Sequence, residues 1–165
     1  AQKISKLRIY GAPRWTDLHH NNVIVGTNSR LGVLEAAVLN EKLPHLDSII
    51  ARQRENYFLY KEILAGAGDL KWPEEHPDYF INGYRLPVLT EKRDELLQFL
   101  EKRGEKLYNW YPVPLPYLPV FSAHKESGFE AAEKIAKECI ILPTKYSLKK
   151  EAARRIAALV REFFG

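Results

Sequence analysis

The chain has 165 residues, of which 45% are hydrophobic and 28% charged, and this composition excludes an intrinsically disordered chain. It has no apolar run long enough to span a bilayer, and its first eleven residues lack the apolar stretch of a signal peptide, so we expect no membrane partner. The net charge of +4 comes from lysines and arginines interspersed with glutamates, which is typical of solvated helix faces. We therefore expect no nucleic-acid partner.

The single cysteine, Cys139, excludes an intrachain disulfide and a cysteine-based zinc site, and it favours a reducing, cytoplasmic location. Cys139 opens an apolar stretch, so we expect a small buried hydrophobic residue. His19 and His20 are adjacent, and neighbouring residues rarely chelate one metal ion, so we expect loop histidines and no metal site. Methionine is absent even at the first position, which suggests a chain cut from a longer polypeptide or a processed start.

Residues 1–64 contain a mixed segment followed by helical sequence. The stretch KISKLRIY could form a strand, and the residues that follow it are rich in loop formers. From about Ser29 to Leu64, apolar residues recur at spacings of three and four, which predicts helix. Pro44 would remove a backbone donor inside that helix, so we expect two helices, the second of which begins at Pro44. Gly66 and Gly68 then end the helical region.

Strands and helices alternate in the remainder of the chain. The predicted strands are residues 84–89, KLYNWY at 106–111 and CIILP at 139–143. The predicted helices follow Thr90, run from Gly128 to Glu138, and run from Ser147 to about Phe164. We therefore predict an α/β fold with a small three-stranded sheet, antiparallel or mixed, packed against helices.

The candidate site is the TNSR stretch at residues 27–30. The usual phosphate-binding and nucleophile motifs, GxGxxG, GxxxxGK and GxSxG, are absent from the sequence. Asn28, Ser29 and Arg30 would occupy the first turn of the predicted helix, where free N–H groups and the helix dipole favour an anion. Asn and Ser are also preferred N-cap residues, so a cap and an anion site both remain open at this point.

An ordered set of motifs resembles the DegT/DnrJ/StrS family of aminotransferases. The set consists of Tyr10-Gly11, residues 26–64, YRLPVLTEKRDELLQFLEKRG, residues 111–115, Glu133 and the ILP of residues 141–143. The resemblance covers the C-terminal portion of such enzymes, which are pyridoxal-phosphate proteins of fold type I that act mostly on nucleotide-linked keto sugars. It implies a remnant of the large domain at residues 1–28 and a small domain, with the long interdomain helices, at residues 29–165.

The resemblance also implies roles for individual residues. Asn28 matches the family asparagine that reaches the cofactor phosphate of the neighbouring subunit in a homodimer, and Arg30 matches an arginine on the substrate side. Pro116 stands where the family commonly has a histidine towards the substrate, which leaves the acceptor open. The Schiff-base lysine would lie in an N-terminal large domain, so this chain has no catalytic residue and should be inert alone.

Two other hypotheses stay open. The chain could be a non-catalytic binding module that pairs with a separate large-domain chain. A basic nucleic-acid-binding domain would depend only on the net charge and the nine tyrosines.

Overall fold

A computed structural model describes residues 1–14, 16, 21–109, 112–124 and 128–165. They form two compact units, Ala1–Leu46 and Asp47–Gly165. The expected domain boundary at residues 28 and 29 depended on the family resemblance and stays a prediction. Among the described residues, no helix combines the length and apolar character needed to cross a membrane.

The first unit contains two helices, α1 (Gln2–Leu7) and α2 (Val33–Lys42). The strand predicted for KISKLRIY is wrong, since most of this stretch belongs to α1 and Ile9 makes an isolated antiparallel bridge to Asn28. A sharp turn directly after the bridge also ends the extended backbone at Ile9. Tyr10 has a φ of 62° and Gly11 a φ of 85°, so the chain cannot continue as an extended strand.

The predicted interruption at Pro44 is confirmed. A short 3₁₀ helix, Leu43–His45, separates α2 from α3 (Leu46–Ile63). The proline occupies an early position of that 3₁₀ helix, where its missing N–H costs no hydrogen bond.

The second unit contains a two-stranded antiparallel sheet of β1 (Leu86–Leu89) and β2 (Cys139–Leu142). Leu86 lies opposite Leu142 and Leu89 lies opposite Cys139. The predicted third strand, KLYNWY, is wrong for the described residues 106–109. Tyr108 makes one isolated bridge there, in which its carbonyl accepts the amide of Ile141 at 3.2 Å.

Prolines explain why the chain that follows Tyr108 does not continue as a strand over residues 112–119. The chain has prolines at positions 112, 114, 116 and 119, and each lacks the N–H that a sheet ladder needs. The chain forms two 3₁₀ helices here instead, Leu115–Tyr117 and Pro119–His124. Residues 110 and 111, the end of the predicted strand, lie outside the described residues.

Helices α4 (Arg93–Lys102), α5 (Glu130–Glu138) and α6 (Lys150–Phe164) complete the second unit. They begin two to three residues later than the sequence predicts. The buried core draws on α3 and the residues just after it, both strands, α4 and α6. Leu96 and Leu100, on the apolar face of α4, are fully buried. The core comprises Tyr57, Tyr60, Leu64, Ala67, Leu86, Val88, Leu96, Leu100, Ile140, Leu142, Ala153, Ile156, Ala157 and Val160.

Candidate functional site

The residues that precede α2 are attached to the end of α1 by backbone hydrogen bonds. The amide of Thr27 donates to the carbonyl of Leu7 at 2.8 Å, and the amide of Ser29 donates to the carbonyl of Arg8 at 2.9 Å. The amide of Tyr10 donates in return to the carbonyl of Thr27 at 3.0 Å. These bonds flank Asn28 on both sides, so its backbone is held although its side chain is exposed.

Two glycines make this close approach possible. A Cβ on Gly11 would collide with the carbonyl of Ile24, and its φ of 85° is also a conformation that favours glycine. A Cβ on Gly26 would lie 2.6 Å from the carbonyl oxygen of Leu7 and closer still to the amide nitrogen of Gly11. The side chain of Asn22 adds a further contact, since its Nδ2 donates to the carbonyl of Tyr10 at 2.7 Å.

The side chains of Asn28 and Arg30 contact each other. Nε of Arg30 donates a hydrogen bond to Oδ1 of Asn28 at 2.7 Å. Thr27 and Ser29 share a hydrogen bond between their hydroxyl oxygens at 2.8 Å. The four residues of the TNSR stretch therefore interact in two side-chain pairs on the surface of the first unit.

The placement of this stretch in the first turn of a helix is wrong. Helix α2 begins at Val33, and its N-cap is Gly32, which has no side chain to bond the first turn. The reason is tertiary, because residues 27 and 29 already use their amides to pair with α1. Neither Asn28 nor Ser29 is a helix cap, and the helix-dipole argument for an anion does not apply to Arg30.

The proline-rich segment of the second unit packs near α5. A surface cavity of about 670 Å³ lies between them, and its lining is almost entirely apolar. Pro116 is half-buried in the 3₁₀ helix Leu115–Tyr117 and offers no side-chain donor, acceptor or titratable group. On α5, Glu133 accepts a hydrogen bond from the hydroxyl of Tyr117, and this bond raises the pKa of Tyr117.

The sequence assigns no metal ligand, and the described residues contain no cluster of three or more His, Cys, Asp or Glu side chains able to hold a metal ion. His19 and His20 lie outside the described residues. Cys139 is 3% exposed in β2, which confirms its prediction as a buried residue. Burial raises the pKa of its thiol, against an opposing effect from the charge of Arg93, so this thiol is a poor nucleophile.

The sequence pattern that defines the DegT/DnrJ/EryC1/StrS aminotransferase family matches residues 1–161. The chain belongs to this family. The resemblance found from the motifs is therefore confirmed over nearly the whole chain. Tyr10-Gly11 and Gly26 belong to the set of motifs on which the resemblance was based, and the structure shows that they support the residues around Asn28. This supporting role was not predicted from the sequence, although Gly11 and Gly26 were a signal for it.

Curated relatives align with almost the entire chain. A pleiotropic regulatory protein of Geobacillus stearothermophilus is 35% identical over 99% of the chain, which covers 44% of that relative. The dTDP-3-amino-3,4,6-trideoxy-alpha-D-glucose transaminase of Streptomyces venezuelae is 34% identical over 99% of the chain and 42% of the relative. The chain thus spans less than half the length of these relatives.

A solved structure agrees with the sequence relatives. The crystal structure of S. venezuelae DesV superimposes with a TM-score of 0.89 at 33% identity, over 98% of this chain and 43% of DesV. This confirms the predicted α/β class of the fold, with the correction that the sheet of the described residues has two strands.

Proposed function

We propose that this chain is the C-terminal portion of a pyridoxal-phosphate-dependent aminotransferase that acts on nucleotide-linked keto sugars. The observation that carries the proposal is the family match over residues 1–161 together with the 42–44% share of the curated relatives that the chain covers. Relatives named as dTDP-sugar transaminases support the substrate class. The pyridoxal-binding large domain would precede this portion in the same polypeptide or belong to a separate chain.

The donor set around Asn28 fits an anionic cofactor group. Arg30 bears a permanent positive charge next to Asn28, and the Asn28 side chain has a nitrogen donor, Nδ2, at the exposed surface. In the proposed homodimer, Asn28 donates to the cofactor phosphate in the site of the neighbouring subunit, and Arg30 binds on the substrate side of that site. When bound, pyridoxal phosphate supplies the electron sink for amino-group transfer. The chain's own part is binding and orientation.

An exposed apolar surface on α2 supports a covering domain. Val33 and Leu34 are 85% and 81% exposed, and Leu39 is 54% exposed. Large apolar side chains exposed in this number on one short helix mark an interaction site. In the proposal these three residues, which we call the exposed α2 apolar residues, lie against the large domain.

The alternative is a non-catalytic module that pairs with a separate large-domain chain, and mass spectrometry of the source protein separates the two cases. A polypeptide about 2.3 times the mass of this chain, as the 42–44% coverage of the relatives implies, with visible cofactor absorbance, supports the single-polypeptide enzyme. A source protein with the mass of this chain contradicts it. The alternative then requires that mixing with a large-domain chain restores the absorbance.

Complementation between subunits tests the role of Asn28 across the dimer. The experiment uses the proposed full-length enzyme that contains this chain, which we call the longer protein. One variant carries Asn28→Ala and the second carries a substitution of the cofactor-binding lysine. A mixed dimer then contains one site with both defects and one intact site, provided that Asn28 serves the neighbouring subunit. At a pyridoxal phosphate concentration below the dissociation constant of the Asn28→Ala protein, we expect the mixture to show more transamination than either variant alone. No recovery, with mixed dimers demonstrated by native mass spectrometry, contradicts the assignment of Asn28.

A further inference from the structure

We infer that Arg30 is a positioning residue that fixes the orientation of the Asn28 carboxamide, so that Nδ2 of Asn28 is the atom presented to an anionic oxygen. The inference rests on the proposed function, because the anion is the cofactor phosphate. It adds a second task to Arg30, which the family resemblance assigns to the substrate side. The starting point is the 2.7 Å hydrogen bond from Nε of Arg30 to Asn28.

The chemistry of the guanidinium removes the usual ambiguity of an asparagine side chain. The oxygen and nitrogen of a carboxamide are similar in shape, so the orientation must be decided from its partners. Arg30 can only donate hydrogen bonds, and therefore the atom that faces it must be the oxygen Oδ1. The opposite orientation would place two N–H donors against a cation.

The remaining polar atom of the Asn28 side chain, Nδ2, is then a hydrogen-bond donor. No residue within the described part of the chain accepts a hydrogen bond from Nδ2 of Asn28, and the side chain is exposed. The backbone of Asn28 is held on both sides by the amides of Thr27 and Ser29, which pair with the end of α1. A fixed backbone and a fixed carboxamide leave one donor preoriented, which lowers the ordering cost of binding an anion.

The test is a double-mutant cycle in the longer protein, with two ligands that differ only in the phosphate. Dissociation constants for pyridoxal phosphate and for pyridoxal are measured by absorbance for the unmodified protein, Asn28→Ala, Arg30→Ala and the double variant. We expect Asn28→Ala to weaken pyridoxal phosphate about tenfold, since it removes a hydrogen bond to a charged group. Arg30→Ala should weaken it about fivefold through misorientation of the amide. Pyridoxal affinity should change by less than about twofold in every variant.

The decisive comparison is the effect of Arg30→Ala in the Asn28→Ala background. We expect Arg30→Ala to cause no further loss of pyridoxal phosphate affinity in that background, because Arg30 acts through Asn28. An undiminished fivefold loss in that background overturns the inference, since Arg30 would then act on the phosphate directly. Unchanged affinity in Asn28→Ala itself contradicts the assignment of Asn28 to the cofactor phosphate in the proposed function, so the two failures are distinguishable.

Two controls accompany the cycle. Arg154 is an exposed arginine of α6 in the second unit, and Arg154→Ala controls for the loss of one surface charge. Thermal unfolding of each variant checks the fold, which these exposed side chains should leave unchanged. The ³¹P chemical shift of bound pyridoxal phosphate gives a second readout. It should move in Asn28→Ala and Arg30→Ala and stay fixed in Arg154→Ala, and an unmoved signal in Arg30→Ala counts against the inference.

Discussion

Nε of Arg30 donates a 2.7 Å hydrogen bond to Oδ1 of Asn28, two residues earlier in an exposed stretch of chain. The bond joins the two residues that the family resemblance assigns to the cofactor and substrate sides of one site. Their proximity is compatible with both assignments and makes their contributions interdependent.

Gly26→Ala should disrupt the support of Asn28. The new Cβ would collide with backbone atoms of Gly11 and Leu7, which cannot move independently of α1. We expect faster hydrogen exchange at the amides of Thr27 and Ser29, measured by NMR on this chain. The matched control is Gly32→Ala, whose Cβ would meet the flexible carboxylate of Glu35. Equal exchange rates in the two variants would contradict the prediction.

Asp69 should stabilise the turn that leads into α4. Its carboxylate accepts hydrogen bonds from the hydroxyl of Thr90 at 2.5 Å and the amide of Glu91 at 2.8 Å. We expect Asp69→Ala to lower the free energy of unfolding by about 1–2 kcal/mol in urea denaturation. Asp78, whose side chain is 85% exposed, provides the control Asp78→Ala, which should stay within about 0.5 kcal/mol.

The carboxylate of Asp69 should also make the free energy of unfolding depend on pH. Burial raises the pKa of Asp69, but the hydrogen bonds from Thr90 and Glu91 outweigh burial, and the net pKa is lowered in the folded chain. The stabilisation is therefore complete above the unfolded pKa of about 4 and is lost as the pH falls through the lower folded pKa. The difference in stability between the unmodified chain and Asp69→Asn should shrink below about pH 4. A constant difference down to pH 2 would rule out this contribution of the charge.

Tyr60→Phe should be neutral or stabilising. The hydroxyl of Tyr60 is buried without a hydrogen-bond partner among the described residues, and burial, with a smaller effect from Glu105, raises its pKa. Removal of an unsatisfied buried hydroxyl should increase the free energy of unfolding by up to about 1 kcal/mol. Tyr57 serves as the comparison, because its hydroxyl bonds Glu75 at 3.5 Å and Tyr57→Phe loses that contact. Destabilisation by Tyr60→Phe beyond that of Tyr57→Phe would show that the hydroxyl has a partner.

The exposed α2 apolar residues should matter for assembly and not for the stability of this chain. Leu34→Gln and Leu39→Gln replace exposed side chains, so we expect changes within about 0.5 kcal/mol in urea denaturation of this chain. The buried Leu96 gives the contrast, since Leu96→Ala should cost about 2–5 kcal/mol. In the longer protein the same two glutamine variants should lower the unfolding temperature, and an unchanged temperature would argue that no domain covers these residues.

The sequence by itself determined the family, the break between α2 and α3, and the apolar faces that form the core of the second unit. These features depend on local rules, since Pro44 lacks an amide hydrogen and the spacing of Leu96 and Leu100 places both on one helix face. The ordered motifs also identified Asn28 and Arg30 as the candidate site residues, and those assignments stay predictions.

Only the tertiary structure decided where α2 begins and how many strands pair. Residues 27–29 have helix-capping side chains, but pairing with the end of α1 uses the amides of Thr27 and Ser29 and holds Asn28 in an isolated bridge. The TNSR stretch therefore contains an isolated β-bridge, and the carboxamide of Asn28 is held by Arg30. Such pairing joins residues about 20 positions apart in the chain, and local propensity carries no information about a partner at that separation.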